Sequence, residues 1–354
     1  MKKSVKILLS IIIALLFLLT AGVAAVFGYV YSQIKPVPVT SEDIRVEVAQ
    51  GDSVRKIAAN LKAQNLIKND DFFYYFVRTP KLFSIFFPSE NVETPIILKS
   101  GIYHLTPGLN YAQIINELSS GQQEYIKVSI PEGKTISQIA AILEENNICS
   151  ALDFKNCCHD PSMLKNYEIL GENAEGFLFP DTYFFTLGMS ASEVVSIMIQ
   201  NFFSKAQTVP GLEEKTPQEL YDIVILASIV EREYRVESEA PLIASVFTNR
   251  LKHNIGLYSC ATIVYILTEI EGRPHPDRIL LEDTKIDSPY NTYKWAGLPP
   301  GPISNPGLVA LNAAANPPKT NYYFFQVADS DEGSHVFTTT FDEHKASHNL
   351  NTKK

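Results

Sequence analysis

The pattern of apolar and polar residues separates an uncharged N-terminal segment from a long remainder in which helical and strand periods alternate. No charged residue occurs from Ile7 to Gln33, and three lysines precede this segment: Lys2, Lys3 and Lys6. A segment of this length can cross a bilayer core of about 30 Å, and the lysines favour a cytoplasmic N-terminus. A cleaved signal peptide is the alternative, because Ala21-Gly22-Val23-Ala24 supplies small residues at a suitable depth. The uncharged segment continues well past that site, which favours an uncleaved anchor in the plasma (inner) membrane.

Two segments of the remaining chain, 46–72 and 128–154, repeat each other at a constant spacing of 82 residues. Each has the alternating residues of a strand, then a glycine turn, a helix with an Ile-Ala-Ala core, and an Asn followed by an apolar residue. The pattern resembles LysM-like modules, which bind chitin-type and peptidoglycan sugars. A role as a plain spacer is the alternative, since a fold does not fix a function.

The predicted fold is α+β, with an N-terminal transmembrane helix, LysM-like βα modules and a mixed α/β C-terminal domain. The segment 98–122 predicts a strand, a turn and an amphipathic helix that complete the first module. We therefore place the cytoplasmic tip, anchor and linker in 1–40, the first LysM-like module in 41–124, the second repeat in 125–165 and the C-terminal domain in 166–354. In that last domain we expect two helices and two strands: Thr216 to about Tyr234, about Ala240 to Lys252, Tyr322 to Val327, and Val336 to Thr340.

One carboxylate lies on the apolar stripe of the first of these helices. Thr216, Pro217 and Glu219 form a capping box with proline at the first helical position. The stripe that follows advances by four, three and four residues: Leu220, Val224, Ala227 and Glu231. Burial on that face disfavours the ionised carboxylate, so we expect a raised pKa and a carboxylic acid able to donate a proton near neutral pH.

A structural role for this carboxylate is the alternative, with Glu231 paired to a basic residue such as Arg250. Glu233, two residues on, is expected to point to another side of the helix and to be solvated.

Turn formers and aromatic residues are concentrated in four further segments: EGFLFPDTY at 175–183, LYSCATIVY at 257–265, SPYNTY at 288–293 and GLPPGPISNPG at 297–307. Prolines and glycines at this density fix loop backbones, which helps to hold a long polar ligand in register. Tyr183, Tyr290 and Tyr293 offer flat faces suited to sugar rings, and Asn291 between two tyrosines is expected to hydrogen-bond a ligand.

Composition excludes several classes of protein. The net charge is −9 and no basic stripe is interleaved with aromatic residues, so nucleic acid is not an expected partner. The four cysteines are too irregular for a disulfide scaffold or a zinc site, although Cys149 could form a disulfide with Cys157 or Cys158. The seven histidines show no HExxH pairing, and we expect neither a metal nor an organic cofactor.

The ordered set of motifs resembles the MltG-type (YceG-like) endolytic murein transglycosylases over nearly the whole chain: an anchor, LysM-like modules, EGFLFPDTY, LASIVERE, SPYNTY and GLPPGPISNPG. This resemblance makes 166–354 the catalytic domain, matches Glu231 to the family's single catalytic Glu, and implies cleavage between N-acetylmuramic acid and N-acetylglucosamine with a 1,6-anhydro end. It further implies that the enzyme sets strand length beside peptidoglycan synthases. Tyr258 departs from the Gln of the family's Leu-Gln-Ser motif, whereas Ser259 keeps the Ser. We expect substrate contacts from six residues: Asp181, Tyr183, Ser259, Tyr290, Asn291 and Tyr293.

A lytic transglycosylase can use one carboxyl group as acid and then as base, because the nucleophile is the C6 hydroxyl of the substrate itself. Ordinary glycosidases use two, and Asp181 or Glu233 would be the second. Two other functions stay open from the residues alone. One is a Cys/His peptidase with Cys260 and either His335 or His344, and the other is a non-catalytic scaffold that binds glycan and synthases.

Overall fold

The chain forms two compact units with mixed α/β structure, Met1–Tyr125 with Thr186–Met189 and Ile126–Phe185 with Ser190–Lys354. The structure is a computed structural model, and it describes residues 3–38, 43–49, 51–79, 86, 95–120, 125–328 and 333–347.

The first unit begins with a long apolar helix, α1 (Lys3–Ile34). Its segment Ile11–Ile34 has 24 residues and a mean hydropathy of 2.7, with its most apolar window exposed. This length and composition are compatible with a single-pass membrane anchor.

The remainder of the first unit packs helices on a two-stranded antiparallel sheet. Strand β1 (Ile44–Val48) pairs with β2 (Gly101–Leu105), and the helices are α2 (Val54–Ala63), α3 (Asp70–Arg78) and α4 (Tyr111–Ser120). Ser53 and Asn69 cap α2 and α3 through side-chain oxygens, which explains where both helices start. The alternate residues Val46 and Val48 of β1 are buried in the core with residues of all three helices.

The predicted repeat is present in the backbone. Helix α5 (Ile136–Glu145) starts 82 residues after α2, since 136 − 54 = 82. Gly51 and Gly133 have φ of 81° and 72°, and Asn65 and Asn147 have φ of 56° and 55°. The matching left-handed positions show that both copies use the same turn before the helix and the same exit after it.

The second copy belongs to the second unit, so the boundary expected at 165 does not separate two units. Its strand β3 (Tyr125–Ser129) pairs with β4 (Thr182–Thr186). Its turn is joined to a distant loop, because the N–H of Gly133 donates to the carbonyl of Asn305 and the N–H of Asn305 donates to the carbonyl of Lys134, both at 2.9 Å.

The second unit is mainly helical and ends in a small antiparallel sheet. Its other elements are α6 (Ala151–Cys158), α7 (Pro161–Asn166), α8 (Ala191–Ala206), α9 (Pro217–Glu231), α10 (Ala240–Lys252), α11 (Cys260–Tyr265), a π-helical turn (Ile266–Ile270), α12 (Leu308–Ala315), β5 (Phe324–Val327), β6 (His335–Thr338) and α13 (Phe341–Ser347), with 3₁₀ turns at Glu237–Glu239 and Asp283–Lys285. Strands β5 and β6 pair with each other. The helices and strands expected in this region are therefore confirmed.

Helix α9 is the central helix of the second unit. Thr216 caps it in a capping box with Glu219, and Pro217 occupies its first turn. The residues from Val224 to Val230 are all buried, and the helix packs against α10 and α12. A helix buried on every side can place a residue at its C-terminal end in a fixed position.

We expect Thr216→Ala to lower the free energy of unfolding by about 1 kcal/mol, because the backbone N–H of Glu219 in the first turn of α9 loses its side-chain acceptor. Urea denaturation of the detergent-solubilised chain measures this change. Thr216→Asp is the matched control, since aspartate also caps helices, and equal losses in the two variants would contradict the capping explanation.

Candidate active site

Glu231 is the last residue of α9, and both of its carboxyl oxygens have a hydrogen-bond partner. The N–H of Gly307 donates to Oε2 at 2.9 Å, and the hydroxyl of Tyr234 donates to Oε1 at 3.2 Å. Within the described residues no Lys, Arg or His forms an ion pair with this half-buried carboxyl group. The site therefore has one acidic group that is held in place by uncharged donors.

The electrostatic environment raises the pKa of Glu231 to about 7. Burial is the main cause, because it removes water from the charged form. The two hydrogen bonds lower the pKa and partly offset burial, whereas the nearby negative charge of Glu132 raises it. The C-terminal end of a helix also disfavours negative charge. Roughly half of the molecules hold a protonated Glu231 at neutral pH.

The proline-rich loop 297–307 lies along α9 and is attached to it at four points. Tyr221 donates its hydroxyl proton to the carbonyl of Pro300 at 3.2 Å. The N–H of Ile303 donates to the hydroxyl of Ser228, and the hydroxyl of Ser304 donates to the carbonyl of Ser228, both at 3.0 Å. The bond from Gly307 to Glu231 is the fourth. The loop thus brings its N–H donor to the carboxyl group from a fixed backbone.

Asn305 joins this loop to the second repeat and to the EGFLFPDTY segment. Its Nδ2 donates to the carbonyl of Lys134 at 2.9 Å and to Oε1 of Glu175 at 2.7 Å, and its Oδ1 accepts from the N–H of Leu178 at 2.8 Å. Glu175 is fully enclosed and also accepts from the N–H of Ile136 at the start of α5. Burial raises the pKa of Glu175 to about 8, so this carboxyl group is mainly protonated at neutral pH.

The structure does not support the alternative in which Glu231 pairs with Arg250, and it corrects the expectation about Glu233. Nε of Arg250 instead donates to the carbonyl of Tyr323 at 2.7 Å, and Nη1 donates to the carbonyl of Leu257 at 2.6 Å. Glu233 is not solvated, because it turns into the protein and accepts a hydrogen bond of 2.5 Å from the hydroxyl of Ser259. Burial raises its pKa as well.

A cavity of about 740 Å³ begins immediately after Glu231 in the chain. Arg232 and Glu233 form part of its wall, together with further polar and aromatic side chains that include Arg235, Arg250, Tyr258, Ser259, Cys260, Tyr293, Phe324 and His335. Its size is that of a pocket for a small ligand.

Tyr258 has an unfavourable backbone conformation at the edge of this cavity. Its φ is +52°, a value that is rare for a large side chain. Its ring lies 5.6 Å from that of Tyr293, and the Arg250 guanidinium lies 5.7 Å from its centroid. A strained residue of this kind is often found at ligand sites. Tyr258, where the sequence departs from the expected Leu-Gln-Ser motif, therefore lies at the cavity.

Of the six residues expected to contact substrate, the cavity contains Ser259 and Tyr293. Tyr290 instead packs against Tyr265, with the ring centroids 5.1 Å apart. Asn291 is fully buried, donates to the carbonyls of Thr284 and Ile286, and accepts from the N–H of Tyr293. Asn291 therefore orders its own loop, and its location does not fit a contact with substrate.

Asp181 and Tyr183 also have structural partners. Tyr183 is buried and donates to the carbonyl of Phe179. Asp181 accepts from Asn201 at 3.1 Å and pairs with Lys205 at 3.3 Å. Burial alone would raise the pKa of Asp181, but these partners outweigh it and lower the pKa. Neither residue forms part of the cavity wall.

The hydrogen bonds of Cys260 and His335 do not form the catalytic pair of a peptidase. The Cys260 thiol lies 3.0 Å from the hydroxyl of Tyr293, and Nδ1 of His335 lies 2.7 Å from Oε2 of Glu239. His344 stacks on Phe324 at 5.2 Å. Among the described residues, no group of three His, Cys, Asp or Glu side chains could hold a metal ion.

Three residues around Glu231 escaped the sequence analysis, namely Glu132, Tyr234 and Gly307. Glu132 precedes Gly133 in the second repeat, at the position that Gln50 occupies in the first. The replacement of an amide by a carboxylate at matching positions of the repeat could have indicated that Glu132 has a functional role in the second copy. No local pattern indicates that Gly307, 76 residues after Glu231, donates to it.

This arrangement defines an acid–base site in which one carboxyl group, Glu231, is held by two uncharged donors, with the Glu132 carboxylate nearby. The chain belongs to the YceG-like family, whose model matches residues 46–349. It is 33% identical over 340 residues to an endolytic murein transglycosylase of Bacillus subtilis (strain 168), across 91% of this chain and 89% of that protein. An endolytic murein transglycosylase of Streptococcus pneumoniae serotype 2 is 29% identical over 93% of this chain and 62% of its own length. A crystal structure of a YceG-like protein from Listeria monocytogenes aligns with a TM-score of 0.55 and 30% identity, over 87% of this chain and 99% of that one.

We expect Glu132→Gln and Tyr234→Phe to shift the pKa of Glu231 in opposite directions. Glu132→Gln removes a like charge and lowers the pKa, whereas Tyr234→Phe removes a donor to the charged form and raises it. A ¹³C NMR titration of glutamate carboxyl groups, with the Glu231 signal assigned from its loss in Glu231→Gln, measures both shifts. Glu213→Gln removes an exposed charge elsewhere and serves as the control, and shifts in the same direction would contradict this account.

Proposed function

We infer that the chain is an endolytic murein transglycosylase in which Glu231 acts first as the acid and then as the base. The observation that carries this inference is a carboxyl group with a pKa of about 7, held by Gly307 and Tyr234 and without an ion-pair partner among the described residues, in a member of the YceG-like family. A group that is partly protonated at neutral pH can serve in both steps.

The acid step uses the proton on Oε1 of Glu231. Oε2 accepts from the backbone N–H of Gly307, which can only donate, whereas the partner of Oε1 is the Tyr234 hydroxyl, which can also accept. Oε1 is therefore the oxygen that can carry the proton. The proton moves to the glycosidic oxygen between N-acetylmuramic acid and N-acetylglucosamine as the bond from C1 to that oxygen breaks. Positive charge develops at C1, and the carboxylate left on Glu231 is stabilised by its two donors.

The base step regenerates the enzyme without water. The Glu231 carboxylate takes the proton of the C6 hydroxyl of the muramic acid, and O6 forms a bond to C1. The product is a 1,6-anhydro end, and the catalytic group is again protonated. The nucleophile is already part of the substrate, so a second protein carboxylate is not required.

The other carboxylates support transfer to the C6 hydroxyl over hydrolysis. Glu233 is committed to Ser259, and Asp181 is committed to Asn201 and Lys205. Glu132 is exposed and close enough to raise the pKa of Glu231, which keeps the acid protonated at higher pH. Its role in this proposal is therefore to adjust the acid.

In our proposal the first unit, which includes α1, determines where in the cell the enzyme acts. Its sheet and helices form a LysM-like module that binds glycan, and α1 anchors the chain in the plasma membrane with the N-terminus in the cytoplasm. The enzyme then acts on nascent strands and ends their elongation beside the synthases. The duplicated turn and helix of the first unit support the module, and three lysines before the apolar segment support the orientation.

We expect Glu231→Gln to abolish cleavage and to leave the fold intact, because an amide cannot donate the proton and then accept it. Mass spectrometry of uncrosslinked glycan strands incubated with the full chain in detergent detects the 1,6-anhydro ends, which are lighter than hydrolysed ends by one water. Glu213→Gln is the matched control and should be fully active.

Two results would contradict the proposal. Reducing ends in place of anhydro ends would identify a hydrolase with a second carboxylate. Strands that stay unchanged with well-folded wild-type protein would identify a glycan-binding scaffold.

We expect the rate of cleavage to fall as pH rises through about 7, because the acid form of Glu231 is then lost. The decrease should approach tenfold per pH unit above this value for a single proton. Initial rates between pH 5 and 9, normalised to the folded fraction by circular dichroism, measure it. A rate that keeps rising to pH 9 would exclude Glu231 as the acid.

A further inference from the structure

Arg232 follows the catalytic carboxyl group directly and has no charged partner in contact. Its side chain is half-buried in the wall of the 740 Å³ cavity. Within the described residues, no hydrogen bond or ion pair joins its guanidinium to another side chain or to the backbone. A cation that is partly removed from water without a partner costs free energy, which a bound anion would offset.

The other charged residues of the cavity wall that are not exposed already have partners, so Arg232 is the group available to bind an anion. Arg250 donates to the carbonyls of Tyr323 and Leu257, and Glu233 accepts from Ser259. Arg235 adds a further cation at an exposed position. The cavity wall therefore contains three arginines and one committed carboxylate in a chain whose net charge is −9. Glu269, Glu175 and Glu231 also act on Arg232 electrostatically, but they are not part of the cavity wall and form no hydrogen bond with it. The wall itself thus has an excess of positive charge, which favours an anionic ligand.

The remaining wall is suited to a ligand that also has apolar parts. Tyr258 and Tyr293 present rings 5.6 Å apart, and Phe324 and Phe325 contribute further aromatic surface. Pockets for flexible organic ligands combine such surfaces with a few fixed polar groups. A guanidinium is the group best suited to bind a carboxylate through two parallel hydrogen bonds.

We propose that this cavity is a subsite for the peptide stem of the murein strand, and that Arg232 binds a carboxylate of that stem. The inference rests on the proposed function. Of the two sugars of murein, only muramic acid carries a peptide, and that peptide has free carboxylates and small apolar side chains. In the intact strand the lactyl carboxyl group of muramic acid is bound to the peptide as an amide, so the free carboxylates that can match Arg232 belong to the stem. The peptide is carried by the muramic acid whose C1 reacts. A subsite for the peptide is therefore expected beside the acid, and Arg232 in the cavity wall directly follows Glu231 in the chain.

Binding to three forms of the same uncrosslinked glycan strands tests the proposal without cleavage. The strands carry intact stems, stems whose carboxylates have been amidated, or no stems after amidase treatment, which leaves a free lactyl carboxylate on each muramic acid. Binding of this last form as tightly as intact strands would place the anion on the sugar and overturn the proposal. The protein is the full chain in detergent with Glu231→Gln, and dissociation constants are measured by isothermal titration calorimetry. We expect intact strands to bind about tenfold or more tightly than either other form, since a paired charge in a partly buried site is worth at least that factor.

Substitution of the arginine should remove this preference. Adding Arg232→Gln should make the three forms bind equally, and adding Arg278→Gln, an exposed arginine outside the cavity, should leave the preference unchanged. If Arg232→Gln fails to fold, the amidated strands still test the carboxylate with the arginine present. Equal binding of all three forms before Arg232 is changed would overturn the proposal. An equal loss for all forms on Arg232→Gln would overturn it too, because the arginine would then bind the glycan or support the fold.

A parallel cleavage assay with wild-type protein separates this proposal from the proposed function. Absence of anhydro ends in that assay would overturn the proposed function, whereas the preference for free stem carboxylates does not depend on cleavage.

Discussion

The attachment of loop 297–307 along α9 is the constraint on which the site depends. Tyr221, Ser228 and Glu231 lie on one side of the helix, and each bonds to a successive part of the loop. The buried helix fixes the backbone position of Glu231, and the loop fixes the backbone N–H that donates to its carboxyl group. A donor that is part of the backbone loses little entropy when the site is formed, which allows a single acid to be held for both of its roles.

Local patterns predicted the elements of the chain well and their contacts poorly. The capping box at Thr216 and the glycine turns of the repeat depend on neighbours within a few residues, so the sequence contains the whole signal. The identity of the group that meets Glu231 depends on a loop 76 residues away, and a helical period cannot supply that information. The period predicted the buried position of Glu231 correctly but indicated no partner, and Arg250, named in the alternative, bonds elsewhere.

The same limit applies to the residues expected to contact substrate. Asn291 and Tyr183 fit that expectation by sequence because polar residues in rigid aromatic loops often contact ligands. Their hydrogen bonds instead satisfy backbone groups that the loops themselves leave without partners. Glu233 was expected in water because it leaves the apolar stripe of α9. The chain turns after Glu231, however, and the helical period no longer applies to it.

Glu175 makes the stability of the contacts around the site depend on pH. This enclosed carboxyl group joins the start of α5 to Asn305, and its raised pKa of about 8 means that it is bound as the neutral acid. A group whose pKa is raised on folding contributes stability fully below its unfolded pKa, and that contribution is lost as pH rises toward the folded value. The reaction therefore needs a proton on Glu231, and the contacts that hold the site together need a proton on Glu175. Rising pH removes both, so chemical inactivation and weakening of this joint are expected to accompany each other.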